Sequence, residues 1–372
     1  MKKLLFLVAE DGYFCSHRLN LGKAALKAGF EVALATRCKH HLKDIQDAGI
    51  QVFPLMHFSR GSLNPITQLQ SIFELIKIYK TFKPDIVHHV AMKPVLLGSL
   101  VARWCRVPKI INALGGLGYL FTGDNNLKKT ILRTIICRLF KFIFSRPSSI
   151  LILQNQDDLQ TLSNLNCVPP NQVVIIPGAG VDINQYPETP FPPEPPVIVT
   201  CISRMLWSKG IGELVDAAKI LQEKKILVEV NLYGAPDMEN PDSIPEAQLQ
   251  AWHNSQIIQW KGETDNTALA YSQCHIAVLP SYREGLPKSL LEAASCGRPI
   301  VTTDVPGCRS VVVDGENGLL VPAKDSQTLA KALETLIQNQ TLRAQMGKLG
   351  RERVEKFFRD DLIHEQTLKL YA

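Results

Sequence analysis

The chain has 372 residues, of which 45% are hydrophobic and 20% are charged, with a formal net charge of +6. These values are typical of a globular chain of about two ordinary domains and exclude a disordered one. The charge is modest, and basic residues are not interleaved with surface aromatics, so a nucleic-acid partner is not indicated.

The spacing of the cysteines and the lengths of the apolar runs indicate the cellular compartment of the protein. The nine cysteines include no C-x-x-C pair and mostly lie in apolar runs, which indicates reduced thiols and neither a disulfide framework nor a zinc site. The first apolar run, Leu4 to Ala9, is too short for a signal peptide, and no run reaches the roughly 18 residues of a spanning helix. We therefore expect a cytoplasmic protein.

Apolar strand candidates alternate with helical stretches in the first half of the chain. Strands are predicted at LLFLVA, EVALAT, QVFPL and DIVHHV, separated by helices through LNLGKAALKAG, at 41–48 and near 65–82. This alternation predicts a doubly wound parallel sheet.

The loop predicted after the first strand contains one glycine, Gly12. A dinucleotide-binding fold would need G-x-G-x-x-G there, and the chain has no G-x-x-x-x-G-K-[ST], so dehydrogenase and ATPase functions are disfavoured. The nearby imidazoles are His17, His88 and His89. We keep them as candidates for the acceptor side of a site, although a histidine at a strand end is more often structural.

Residues 125–156 contain no acidic side chain and include a basic, amphipathic segment. On a helical projection Arg133, Arg138 and Lys141 share one face, and the large aliphatic residues occupy the other. This pattern fits a helix lying on an anionic membrane surface. It fits equally well an ordinary core helix with a basic outer face.

A proline-rich segment divides the chain. Residues 187–196, PETPFPPEPP, contain six prolines, the composition of a stiff linker. A second alternation follows it, from VIVTCISR to PIVTTD. We therefore predict an α/β architecture of two Rossmann-like domains, 1–186 and 197–354, facing each other across a cleft.

The loop after the first strand of the second domain, SRMLWSKG, carries two cations, Arg204 and Lys209. Many enzymes that cleave a diphosphate ester offset the departing charge with a metal held by a D-x-D pair. This chain has no D-x-D. We predict that Arg204, Lys209 and the following helix end take that role, and that neither a metal nor a cofactor is needed.

The stretch EGLPKSLLEAASCGRPIV places two carboxylates across a strand-to-helix junction. Pro287 suits the first turn of a helix, and Gly297 suits its left-handed cap. Glu284 is therefore predicted in the loop at the positive end of a helix dipole, and Glu292 about the second turn. One carboxylate can accept sugar or ribose hydroxyls while the neighbouring amides hold a phosphate.

These segments resemble the C-terminal signature of the retaining family-4 glycosyltransferases of the GT-B fold. The downstream run TTDVPGCRSVVVDGENGLLVPAKD matches as well, with Gly307 in a loop and the turn at Asn317-Gly318. The family carries an Arg and a Lys where Arg204 and Lys209 stand.

The resemblance implies a role for each matched residue. Glu284 would bind donor sugar hydroxyls, the Gly285 and Leu286 amides would bind phosphate, Glu292 would bind the ribose, and Gly12 would allow close backbone approach. It also makes 1–186 the acceptor side and 197–354 the nucleotide-sugar side, with 355–372 crossing back to the first domain.

One run departs from the family pattern. Many members have His-Gly after the strand that matches KIINAL, whereas this chain reads NALGGLGYLF, with Leu114 at the histidine position. Members that extend bacterial surface polysaccharides on lipid carriers often show such a Gly-Leu-Gly-Tyr run. For this chain, the resemblance therefore implies that backbone groups of Gly115, Gly116 and Gly118, and not an imidazole, contact the donor sugar.

We therefore expect a metal-independent, retaining transferase that moves a sugar from a nucleotide-diphosphate donor, UDP-linked, to a lipid-linked or glycan acceptor. It would work peripherally at the cytoplasmic membrane face, with the nucleotide sugar as substrate and no cofactor. One alternative is a nucleotide-sugar epimerase of the same fold, which needs cleft carboxylates and no acceptor. The other is a non-catalytic sugar-nucleotide-binding subunit, against which the intact charged residues argue.

Overall fold

The computed structural model describes residues 1–58, 64–118, 121 and 127–372. They form two compact units, one comprising Met1–Ala179 with Ile363–Ala372 and the other Gly180–Leu362. Each unit is built on one parallel sheet covered by helices, which confirms the predicted fold class.

The first sheet has seven strands in the order β3-β2-β1-β4-β5-β6-β7, all parallel. Its central strands are buried almost throughout because helices cover both faces. The strands are β1 Lys3–Glu10, β2 Glu31–Arg37, β3 Gln51–Pro54, β4 Ile86–Val90, β5 Lys109–Ala113, β6 Ser149–Leu153 and β7 Val173–Ile175.

The helices of this unit are α1 Asp11–His17, α2 Leu19–Lys27, α3 Leu42–Asp47, α4 Pro65–Phe82, α5 Met92–Trp104, α6 Leu127–Ile143 and α7 Gln156–Asn164. Helices α4, α5 and α6 cover the same face of the sheet. Asn112 of β5 is in register with Leu151 of β6, so Ile110 and Leu151 share a face. Ile110 packs with α4 and α5, and Leu151 packs with α6.

The second sheet has six parallel strands in the order β10-β9-β8-β11-β12-β13. Its strands are β8 Val197–Ile202, β9 Val228–Tyr233, β10 Gln259–Trp260, β11 Ile276–Leu279, β12 Ile300–Thr303 and β13 Gly318–Val321. Its helices are α8 Ile211–Glu223, α9 Glu246–Asn254, α10 Thr267–Ser272, α11 Lys288–Ser295, α12 Cys308–Val311, α13 Ser326–Ile337 and α14 Gln340–Phe357.

The last helix, α15 Asp360–Lys369, brings the end of the chain into the first unit. Ile363 and Tyr371 are buried in that unit's core, on the face of the sheet opposite α4–α6. The Lys2 ammonium also donates to the Ala372 carbonyl at 2.9 Å.

The proline-rich segment, which was predicted as a stiff linker between two domains, packs on the second unit. His275 Nε2 lies 3.1 Å from the Pro192 carbonyl, the Arg298 guanidinium donates to the Thr189 and Pro190 carbonyls, and Arg343 pairs with Glu194. Arg298 also stacks on Phe191. The compact units accordingly divide after Ala179 and before Ile363, and not at the predicted bounds.

Candidate functional site

Loops that follow four neighbouring strands meet at the carboxyl edge of the second sheet. They are residues 203–210 after β8, 234–245 after β9, 280–287 after β11 and 304–307 after β12. Ligands of open α/β sheets bind at this edge. Arg204, Lys209, Glu284, Gly285 and Leu286 all lie in these loops.

Lys209 and Glu284 form an ion pair at the centre of this group. The Lys209 ammonium donates to Glu284 Oε1, which also accepts from the Ser281 hydroxyl at 2.6 Å. Both charged side chains are largely buried. The Tyr282 amide donates to the Ser208 carbonyl at 2.9 Å and so ties the two loops together.

Two glycines allow the loops to come this close. Gly210 has φ +72°, and a Cβ there would lie 2.0 Å from the Pro280 carbonyl oxygen. Gly307 has φ +81°, and its Cβ would lie 2.5 Å from the Gly285 oxygen and 2.8 Å from that of Glu284. The backbone beside Glu284 is thus held against a position that only glycine fits.

Arg204 is the more exposed of the two cations. Its Nη1 donates to Asp237 Oδ2 at 2.7 Å, an acidic partner that sequence reasoning missed because it follows a different strand. The loop that carries Asp237 also bonds to the backbone beside Arg204: the Trp207 amide donates to the Asp242 carbonyl and the Ser208 amide to the Asp242 carboxylate, both at 3.0 Å.

Glu292 lies in α11, as predicted, but its side chain is buried. Its Oε1 accepts from the Tyr186 hydroxyl at 3.0 Å and lies 3.1 Å from the Lys288 ammonium. The Tyr186 hydroxyl in turn bonds to Thr267 at 2.8 Å, and burial raises the pKa of Tyr186. The predicted ribose contact remains a prediction.

The predicted loop around Gly12 is a helix. Strand β1 ends at Glu10 and α1 begins at Asp11, so Gly12 lies in the first helical turn. The buried Asp11 carboxylate accepts from the amides of Gly12, Lys39, His40 and His41, which lowers its pKa despite burial. Asp11 thereby fixes the loop after β2. His17, at the end of α1, stacks on Tyr13 and is partly exposed.

His88 and His89 are core residues, and this corrects the expectation that they reach an acceptor at a strand end. Neither side chain has exposed surface. His88 bonds to the Tyr371 hydroxyl, and His89 bonds to Tyr79 and Asn112 at 2.9 and 2.8 Å. Burial lowers the pKa of His89 to about 4 and that of His88 well below its ordinary value.

The basic segment forms α6, but its apolar residues do not all face the core. Ile136, Phe140 and Ile143 are buried, whereas Ile131 and Ile135 are exposed beside the cations. This corrects the predicted two-faced division. Asn125 and the Tyr119-Leu120 part of NALGGLGYLF lie outside the described residues, while Leu114 and Leu117 are buried. Across the described ranges, none of the helices is long and apolar enough to cross a membrane.

Two family models match the chain. One, described as "Glycosyl transferases group 1", covers residues 182–353, and the other, "Glycosyl transferase 4-like", covers residues 3–153. The first range contains Arg204, Lys209, Glu284 and Glu292.

Among curated proteins, one similar sequence is the N,N'-diacetylbacillosaminyl-diphospho-undecaprenol alpha-1,3-N-acetylgalactosaminyltransferase of Campylobacter jejuni, 28% identical over 95% of this chain and 94% of that protein. Another is the UDP-Gal:alpha-D-GlcNAc-diphosphoundecaprenol alpha-1,3-galactosyltransferase of Escherichia coli, 22% identical over 88% of this chain and 85% of that protein. Sucrose-phosphate synthase of Thermosynechococcus elongatus has the same fold, with a TM-score of 0.81 at 20% identity, covering 100% of this chain and 98% of that one.

Proposed function

Since the chain belongs to the group 1 and 4-like glycosyltransferases and has their GT-B fold, we propose that it is a retaining, metal-independent enzyme. It transfers a sugar from a UDP-sugar to a lipid-linked or glycan acceptor. The observation that carries this proposal is the Lys209–Glu284 pair, with Arg204 nearby in the same loop group, at the carboxyl edge of the second sheet.

The roles proposed for these residues follow from the negative charge that develops on the leaving diphosphate. When the bond between the anomeric carbon and the phosphate oxygen breaks, negative charge grows on the diphosphate. Lys209 and Arg204 offset it, and the amides of Gly285 and Leu286 donate to phosphate oxygens at the entrance to α11. The chain has no D-x-D pair to hold a metal for the same task.

Retention of configuration is proposed as a same-face displacement. The acceptor hydroxyl oxygen bonds to the anomeric carbon from the side that the phosphate leaves, and the departing phosphate oxygen takes the hydroxyl proton. Glu284 then acts on the sugar hydroxyls and is not required to be a base. Glu292 binds the ribose through its carboxylate.

The acceptor is proposed from the relatives. The two curated proteins above are named for diphospho-undecaprenol-linked acceptors, and the resemblance extends along nearly the whole chain. A lipid carrier keeps its head group at the membrane, so the enzyme would work peripherally on the cytoplasmic face.

A donor screen tests this function. Purified protein is incubated with a panel of nucleotide sugars, with and without a polyprenyl-diphosphate-linked sugar, and nucleotide release and thermal shift are measured. We expect one UDP-sugar to raise the melting temperature and to release UDP faster with acceptor, giving a product of unchanged anomeric configuration by NMR. Failure of every donor to bind, or an inverted product, would contradict the proposal.

A further inference from the structure

Tyr186 is a buried hydrogen-bond partner of Glu292, the carboxylate that the proposed function assigns to the ribose. Its hydroxyl donates to Glu292 Oε1 at 3.0 Å, although the two residues are 106 positions apart in the sequence. Tyr186 is 4% exposed, so the contact lies inside the second unit and away from bulk water.

The backbone and the ring of Tyr186 are both held in place. Its carbonyl accepts from the Ser295 hydroxyl at 2.7 Å and from Arg351 Nη1 at 2.8 Å, which ties the residue to α11 and α14. The ring packs in the hydrophobic core of the second unit. The hydroxyl is therefore a fixed point against which a neighbouring carboxylate is oriented.

The direction of each proton in this group follows from the chemistry of its members. Glu292 is paired with Lys288, and an ionised carboxylate accepts hydrogen bonds but donates none. The Tyr186 proton must therefore point at Glu292, and the Thr267 hydroxyl, 2.8 Å away, must donate to Tyr186. Burial and the nearby Glu292 charge raise the pKa of Tyr186, so the phenol keeps its proton at neutral pH.

Tyr186 and Lys288 contact the same oxygen of Glu292. Both meet Oε1, and in the described part of the chain no hydrogen bond reaches Oε2. Glu292 is 6% exposed, and a carboxylate with so little access to water needs donors for both of its oxygens. One oxygen is thus held by the protein, and the other is left for a ligand.

The two partners of Oε1 differ in rigidity. Lys288 lies one helical turn before Glu292, its side chain is 24% exposed, and its ammonium sits on a flexible carbon stem. A tyrosine has two side-chain torsions, and the packing of Tyr186 fixes them. Tyr186 is therefore the partner that determines how the carboxylate is oriented.

We infer that Tyr186 is a positioning residue, which holds Glu292 Oε1 so that Oε2 accepts a ribose hydroxyl, and that it thereby sets the preference for a ribonucleotide over a deoxyribonucleotide. This inference rests on the proposed function, which supplies the contact of Glu292 with the ribose, and adds the residue that orients it. The ribose lies away from the bond that breaks, so the contact acts equally in the ground state and the transition state. It therefore governs KM and not kcat.

Binding of deoxynucleotides tests the role of the Tyr186 hydroxyl. Calorimetry compares UDP with 2′-deoxy-UDP and 3′-deoxy-UDP on wild type and on Tyr186→Phe, which removes the hydroxyl and keeps the ring. We expect wild type to bind at least one deoxynucleotide about tenfold more weakly than UDP, because a hydrogen bond to a charged group is lost. Tyr186→Phe should bind UDP more weakly and should discriminate by about threefold at most.

Two other variants separate orientation from folding. Tyr79→Phe removes the hydroxyl of another buried tyrosine, which bonds to His89 at 2.9 Å in the first unit, and should keep the wild-type ratio of affinities. Thr267→Val removes the hydroxyl that donates to Tyr186 and should lower the ratio by a smaller factor. Thr267→Val also carries the test if Tyr186→Phe does not fold.

Steady-state kinetics test whether Tyr186 acts through Glu292. In otherwise native protein, Tyr186→Phe should raise KM for the UDP-sugar by about tenfold and change kcat by less than about twofold. In a Glu292→Ala background the same substitution should change neither KM nor the ratio of affinities, because the carboxylate that it orients is gone.

Three results would overturn the positioning role. They are a wild-type ratio of affinities in folded Tyr186→Phe, a loss of kcat with unchanged KM, and a further rise of KM when Tyr186→Phe is added to Glu292→Ala. UDP release by wild type separates this inference from the function. If release is normal and Tyr186→Phe keeps the wild-type ratio, only the positioning role fails. If wild type binds UDP and both deoxynucleotides equally, the ribose contact of Glu292 fails with it, and if no donor turns over, the proposed function fails.

Discussion

At the scale of single residues, the cations assigned to the diphosphate are paired within the chain. Lys209 holds Glu284, and Arg204 holds Asp237. The Arg204 side chain is about half exposed, so it can exchange its carboxylate contact for a phosphate at modest cost. The Lys209–Glu284 pair is largely buried, and a phosphate that binds beside it gives the Lys209 ammonium a second anionic partner. The carboxylates then also keep the cations in place before the donor arrives.

Truncating either cation should slow transfer far more than it affects folding. We expect Arg204→Ala and Lys209→Ala each to lose some tens- to hundreds-fold in rate, since a charge-assisted contact to a developing phosphate is worth roughly 2 to 4 kcal/mol. Steady-state nucleotide release measures this. Lys219→Ala, an exposed lysine paired with Asp216 on α8, is the control and should transfer normally. Near wild-type rates in either folded site variant would contradict the assignment.

Substitutions of Glu284 and Glu292 should change different quantities, the first the turnover number and the second the affinity for the nucleotide. Glu284→Gln keeps size and hydrogen-bonding reach but loses charge, so we expect a lower turnover number with little change in donor affinity. Glu292→Ala should instead weaken nucleotide binding, seen by calorimetry. Small and equal effects of both substitutions on both quantities would show that neither carboxylate acts on the donor.

The buried His89 should make stability fall in mild acid. Its pKa of about 4 in the folded chain lies below the ordinary 6.5, so the unfolded chain binds the proton first as pH falls. Stability is then lost from about pH 6.5 down to about 4, at up to about 1.4 kcal/mol per pH unit. Urea unfolding between pH 7 and 4.5 checks this. His89→Gln should be less stable at pH 7 but show a shallower slope, and an unchanged slope would refute the attribution.

Residue burial is what the sequence predicted least well. His88 and His89 lie near a strand end, and nothing local distinguishes an exposed imidazole there from a buried one. Their partners, Tyr79, Asn112 and Tyr371, lie elsewhere in the chain. Asp237 was missed for the same reason, whereas Lys209 and Glu284 were recognisable because each lies in a loop directly before a helix.

At the scale of elements, the alternation of strands and helices was readable because buried parallel strands are continuous apolar runs. The sequence did not show which residues of α6 face the core, nor that the proline-rich segment packs on the second unit. A helical projection shows which residues share a side of the helix, but it does not show how much of the helix the core covers. Aliphatic residues outside the covered part, such as Ile131 and Ile135, are exposed. The prolines make residues 187–196 stiff. The contacts that fix this segment on the second unit come from Arg298 and Arg343, which are distant in sequence.

Close approach of the loops at Gly307 can be tested with a matched pair. Gly307→Ala and Gly315→Ala both place a side chain at similar positive φ, but only the former meets the backbone of Glu284 and Gly285, while Gly315 has open space around it. We expect the backbone strain to cost each variant about 1 kcal/mol of stability, and Gly307→Ala to lose more than Gly315→Ala because its Cβ also meets backbone oxygens. Donor affinity and turnover should fall, by about tenfold or more, in Gly307→Ala alone. Equal kinetic effects would show that the contact does not position the site.

At the scale of the whole molecule, the chain combines two units that divide the work. The second holds the charged residues that the proposed function assigns to the donor, and the first is proposed to serve the acceptor. One family model matches within each unit.

In the proposed mechanism the protein's own cations replace a metal in sugar transfer. The most direct test is UDP release from the preferred donor, with acceptor, in excess EDTA. We predict that wild-type protein keeps its full rate after extensive chelation, and that Lys209→Ala stays slow whether or not manganese or magnesium is added. Abolition of wild-type activity by EDTA, with recovery on adding either metal, would contradict the account.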